Sequence, residues 1–92
     1  MIPTKRVTTL SGSVYEFTAN EEWVRRTYPA SPLRRDGDWI HCRSVGIAVG
    51  YPMRMLLLGV ADVGMTLRTT TPVVDIAYYA DDAPTVVTDV VN

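Results

Sequence analysis

The 92-residue chain contains one cysteine, one histidine and one phenylalanine, and it carries almost no net charge. With Cys42 as the only cysteine, an internal disulfide is excluded and a reducing compartment is the natural expectation. One histidine and one cysteine cannot close a zinc shell without carboxylates from distant loops, so no metal is expected. No cofactor is expected either, because the chain lacks both the Gly-Lys-Ser/Thr of a phosphate loop and a Gly-x-Gly-x-x-Gly fingerprint. Nine basic and ten acidic side chains leave a formal charge of −1. Such a balance supplies no overall field to attract nucleic acid or an anionic membrane. The most apolar window, residues 45–60, is broken by Pro52 and Arg54 and is too short to cross a bilayer. The amino-terminal stretch has the charged pair Lys5-Arg6 but no apolar run after it, unlike a secretion signal.

What the chain does have is β-type patterning, densest over residues 52–79. Met53, Met55 and Leu57 alternate with Arg54, Leu56 and Leu58, and Met65, Leu67 and Thr69 alternate with Thr66, Arg68 and Thr70. Ala61-Asp62-Val63-Gly64 lies between them as a hairpin turn, with Gly64 supplying a positive φ. Pro72 has no N–H to donate, so a bulge or edge position is expected there, dividing the second run. Upstream, residues 4–10 and the SVYEFT stretch form a hairpin about Ser11-Gly12-Ser13, with Tyr15 and Phe17 on one face. Over residues 20–28 a strand is favoured, because so short a helix has little apolar surface of its own; Asn20 as a helix cap leaves one short helix open as the alternative. Asp36-Gly37 between Leu33-Arg34-Arg35 and Asp38-Trp39-Ile40 signals another hairpin, and Gly46 and Gly50 are placed to kink a long strand.

The expected fold is therefore all-β: an antiparallel barrel or roll of five to seven strands, occupying residues 1–80 as one domain. Residues 81–92 form a tail or an edge strand. The core is expected to draw on Val7, Tyr15, Phe17, Trp39, Met53, Met55, Leu57, Leu67, Val74 and Ile76.

Candidate chemistry is sparse. His41 and Cys42 are adjacent, but neighbours on a strand point to opposite faces, so a thiol–imidazole pair is disfavoured. The paired acids Glu21-Glu22, Asp36 with Asp38, and Asp81-Asp82 have no flanking apolar pocket of the kind a general acid needs. No catalytic residue is assigned, and an enzyme is not expected. A binding flavour attaches only to Trp23, Arg25, Arg26, Arg34, Arg35, His41 and Arg43, in a half of the chain that is weakly basic. Residues 1–46 hold seven Lys/Arg against five acids, a net of +2, and residues 47–92 hold two against five, a net of −3. Small barrels can bind single strands with aromatics ringed by arginines, but core tryptophans and solvated arginines explain the pattern better.

Several short motifs resemble a known group: residues 8–16 (TTLSGSVYE), Trp23-Val24-Arg25-Arg26, residues 50–53, and residues 67–74 (LRTTTPVV). They are similar to small uncharacterised proteins encoded by phages and prophages of actinobacteria, mycobacteriophages among them. In that group a T-x-SGS-x-Y-E hairpin, a V-R-R strand and an R-T-T-x-P-V strand recur. The similarity spans residues 6–76, and residues 81–92 fall outside it. The resemblance implies a phage origin and a compact β fold and carries over no catalytic residue; the expected location is the host cytoplasm, or the virion if the protein is structural. The first functional expectation is a non-enzymatic accessory protein that binds a host or phage protein through a sheet edge or barrel rim, and that has scope to form a homo-oligomer. The second is a structural component of the virion's tail or head, and the third a small barrel binding single-stranded nucleic acid.

Overall fold

The computed structural model describes residues 1–29, 37–44, 46–59 and 64–79. Six strands follow one another in the chain: β1 (Pro3–Thr9), β2 (Val14–Thr18), β3 (Trp23–Tyr28), β4 (Ile40–Ser44), β5 (Pro52–Leu58) and β6 (Met65–Tyr78). Each is antiparallel to the next, and β6 returns to β1 to close a barrel. The all-β barrel read from period-two patterning is thus the observed fold. Local chemistry explains two of the corners. At the β1–β2 turn Gly12 takes φ +94°, Thr9 N–H donates to the Ser13 carbonyl at 2.9 Å, and Gly12 N–H donates to the Thr9 carbonyl at 2.9 Å. At the β5–β6 hairpin Leu58 faces Met65, and Gly64 has φ +94°.

The strand reading of residues 23–28 holds, and what helix there is amounts to one 3-10 turn at Ala19–Glu21. The strand from Ile40 pairs with Val24 of β3 on one side and with β5 on the other. The proposed strand Leu33-Arg34-Arg35 and residue Asp36 lie outside the described residues, as do residues 81–92. Gly46 and Gly50 do not kink a strand. They belong to a connection that touches β6 once, where Gly50 N–H donates to the Val73 carbonyl at 2.8 Å and Val73 N–H to the Tyr51 carbonyl at 2.9 Å.

The core consists of Val7, Tyr15, Phe17, Val24, Ile40, Cys42, Met53, Met55, Leu57 and Val73, with Ile76 packed against it. Burial of each large apolar side chain contributes about 1.5–3 kcal/mol before conformational entropy is counted. Three expected core residues lie elsewhere. Trp39 is half-buried on the outside of the barrel, and Leu67 and Val74 are 51% and 47% exposed. The cause is register. Arg68 pairs with the buried Met55 and Thr66 with the buried Leu57, which turns the even-numbered residues of early β6 inward and Leu67 outward. The ladder then slips twice, between Pro52 and Arg54 on β5 and between Thr8 and Thr9 on β1. Each slip adds a residue to β6, so Val73 comes inward opposite Thr9 while Val74 is left as the unpaired outward residue.

Pro72 sits between these slips, where β6 changes partner. Residues 65–72 pair with β5 and residues 73–78 with β1. Beyond that change β1 has ended, so among the described residues Met65–Thr70 has a ladder neighbour on the β5 side only. The barrel thereby keeps a short open edge on early β6.

Candidate functional site

The outer face of β3 and β4 gathers four of the sequence-predicted residues. Val24 points inward beside Phe17, which turns Trp23 and Arg25 outward. Trp23 pairs with His41 across the ladder, and their rings lie 4.9 Å apart at 40°. Arg43 lies two residues along β4 on the same face and is exposed. Trp39, also outward, lies under the Arg25 guanidinium at 4.7 Å from its ring centroid, a cation–π contact. Arg26 follows Val24 at a spacing of two and therefore turns inward, pairing with the buried Tyr15 well away from the other four. Arg34 and Arg35 lie outside the described residues.

Arg25 is not free to meet a phosphate backbone. Its Nε donates to Glu16 Oε1 at 2.7 Å, its Nη2 lies 2.7 Å from the same oxygen, and Tyr79 Oη donates to Glu16 Oε2 at 2.5 Å. Burial is the largest single effect on the Glu16 carboxyl and pushes its pKa up. The hydrogen bonds from Tyr79 and Arg25, with the charges of Arg25 and Arg6, together outweigh it and hold the group below the usual carboxylate range. Tyr79 moves the other way, raised by burial first and then by its bond to the Glu16 carboxylate and that group's charge. No sequence signal pointed to this triad, because Glu16 and Tyr79 are 63 residues apart.

At one end of the barrel, Lys5 pairs with the Glu21 carboxylate and lies 5.9 Å from the Phe17 ring centroid and 6.0 Å from that of Tyr78. Beside it, Asn20 and Glu21 both adopt left-handed backbone, φ 63° and 58°, a conformation non-glycine residues hold only when neighbours enforce it. Cys42 is one such neighbour: its N–H donates to the Glu22 carbonyl at 2.9 Å and its Sγ–H to the Glu21 carbonyl at 3.2 Å. Burial, with a smaller contribution from the Glu21 charge, pushes the thiol pKa up to about 11. His41, on the opposite face of the strand, is stacked on Trp23 rather than placed to take its proton. The native protein should accordingly react with a thiol-specific disulfide reagent only as fast as the barrel opens, and immediately in denaturant. Rapid stoichiometric labelling of the folded protein would contradict that placement.

Beyond Arg43 the outer surface becomes apolar. Leu56 and Leu58 of β5 stand opposite Leu67 and Met65 of β6. Leu58, Met65 and Leu67 are exposed, at 36%, 58% and 51%. Arg43, Leu56, Leu58 and Met65 line a shallow hollow of about 350 Å³. Sequence reasoning missed this strip, although a signal existed. Residues 55–58 read Met-Leu-Leu-Leu, and a strand on the wall of a barrel can bury only one of its two faces. Contiguous apolar groups left on the outside are the usual mark of an interaction surface.

Among the described residues no three His, Cys, Asp or Glu side chains are grouped to hold a metal ion, and no helix is long and apolar enough to cross a membrane. No protein-family model matches the chain, and neither a curated protein nor a solved structure matches it.

Proposed function

We propose that the chain is a non-enzymatic interaction module, a phage-encoded accessory protein that docks a host or phage protein against the outer face of β5 and β6. The observation that carries this reading is the strip of Leu56, Leu58, Met65 and Leu67 beside the open edge of β6. Main-chain pairing along that edge would supply affinity, and the apolar strip would supply selectivity for the side chains of an added strand. Support comes also from how the polar groups are used. Glu16 is bonded to Arg25 and Tyr79, Lys5 to Glu21, and Cys42 is held as a thiol, so these groups serve the barrel itself.

The test is capture from an actinobacterial host lysate, with and without phage proteins, by immobilised wild type and by a Met65→Ser, Leu67→Asp variant. Both substituted side chains are exposed, so the variant should fold like the wild type. A partner retained by the wild type and lost from the folded variant is the expected result. Identical capture by both proteins, or no protein above background on either, would overturn the reading.

A further inference from the structure

Three of the four short motifs singled out in the sequence converge on one cleft beside the open edge of β6. Ser11 and Ser13 come from the β1–β2 turn, Arg26 from β3, and Arg68 and Thr69–Thr71 from the open half of β6. The cleft has a volume of about 240 Å³, and no carboxylate lines it among the described residues. Its existence follows from the fold: β6 runs past the end of β1, so a gap is left between the open edge and the turn that faces it.

The lining chemistry is specific. Arg68 points inward, is half-buried, and has no ion-pair partner among the described residues. A half-buried guanidinium with no counter-charge beside it is a ready partner for an anion that enters the cleft. Arg26 also lines the cleft, where it is engaged by a partner of its own. Around them stand hydroxyls, and the two walls are fastened together in advance. Ser11 N–H donates to Thr71 Oγ1 at 3.0 Å, Thr71 Oγ1–H donates to Ser11 Oγ at 3.2 Å, and Ser11 Oγ lies 3.2 Å from Thr9 Oγ1. On the far side Met53 N–H donates to Thr70 Oγ1 at 3.0 Å. A site held at fixed width needs little reordering to receive a ligand.

With the Thr70 and Thr71 hydroxyls already donating to the Thr71 carbonyl and to Ser11, the Arg68 fork and the separate hydroxyls of Ser13 and Thr69 remain to donate, and they suit an oxyanion with three or more acceptor oxygens better than a planar carboxylate, which offers two. The volume lies below the roughly 300 Å³ at which sites for drug-sized ligands begin, so the ligand is small. We propose that this cleft binds a phosphoryl group, carried as inorganic phosphate or as a small phosphate monoester. The apolar strip itself lies on the outer face of β5 and β6, but the cleft borders the same open edge of β6, so a strand added there and a ligand in the cleft would compete.

Amide chemical-shift titration of the isotopically labelled full chain tests it, with inorganic phosphate, glycerol phosphate and acetate added separately at constant ionic strength. Saturable shifts at Ser11, Ser13 and Thr69–Thr71 with phosphate or glycerol phosphate, and none of comparable affinity with acetate, are expected. Tighter binding of glycerol phosphate identifies a phosphorylated small molecule, and equal binding identifies the free anion; either supports the site. Arg68→Gln should weaken the same titration by at least about tenfold, and Arg68→Lys, which keeps the charge but loses the fork, should fall between. Absence of saturable shifts in the wild-type protein overturns the proposal without reference to any variant. So would acetate binding as tightly as phosphate, or phosphate affinity unchanged in folded Arg68→Gln.

Discussion

Phe17→Ala should remove about half of the stability of this barrel. Phe17 is fully buried, faces Val24 across the β2–β3 ladder, and carries the only phenyl ring in the chain. Truncation of a buried phenylalanine costs about 3–5 kcal/mol, because the lost transfer energy is joined by a cavity that the surrounding backbone cannot close. A domain of this size has only about 5–10 kcal/mol to lose. The melting temperature should fall by roughly 15–30 °C, since each kcal/mol corresponds to several degrees in a domain this small. Repacking is poorly available here: the residues around Phe17 are held on closed ladders, and Lys5, whose ammonium lies over the ring, cannot enter the cavity without abandoning Glu21. The control is Leu67→Ala. Sequence patterning placed Leu67 in the core, the register of β6 places it outside, and its truncation should change stability by no more than about 0.5 kcal/mol. Chemical denaturation of the two variants separates the assignments. Equal losses from both would mean that early β6 is turned the other way.

That contrast also marks how far the sequence was legible. The alternation over residues 53–58 and 14–18 named both the strands and their buried faces correctly, because Met53, Met55, Leu57, Tyr15 and Phe17 have polar or mixed neighbours between them. In early β6 the same period identified the pairs of faces but not which was inner. Met65, Leu67 and Thr69 are no less apolar than Thr66, Arg68 and Thr70, so composition pointed outward residues to the core. What decides the matter is pairing with β5, a long-range fact set by the hairpin and by two bulges. The candidate sites followed a similar division. Trp23, Arg25, His41 and Arg43 share a face because strand parity put them there, and parity equally separates Arg26 from Arg25. By contrast, the meeting of Arg26 with Arg68, and of Ser11 with Thr71, depends on barrel closure between segments 42 and 60 residues apart, and no local pattern encodes it.

Glu16→Gln should lower stability near neutral pH and leave it nearly unchanged in acid, with the difference appearing as pH rises through the carboxylate range. In the folded protein the carboxylate accepts from Arg25 and from Tyr79, and its pKa lies below the ordinary value of 4.5. A group whose folded pKa is depressed contributes stability that is fully present above its unfolded pKa and lost as pH falls through the folded one. The wild type should therefore weaken as pH drops below about 4.5. The protonated acid is nearly isosteric with glutamine, so wild type and variant should converge at the acid end. At neutral pH the variant retains an acceptor for Tyr79 but loses charge-assisted bonds to Arg25. Hydrogen bonds to a charged partner contribute about 1.5–3 kcal/mol, and the Arg25 side chain is a third exposed, so solvent screening brings the expected loss down to about 1–2 kcal/mol. Tyr79→Phe removes the other arm and tests the alkaline side. Its raised hydroxyl pKa contributes stability that is present below 10 and lost as pH rises through the folded value, so the variant should lack that alkaline decline. Melting temperatures of the three proteins across the pH range read both effects. Parallel curves for wild type and Glu16→Gln from acid to neutral would show that the carboxylate does not hold β2, β3 and the end of β6 together.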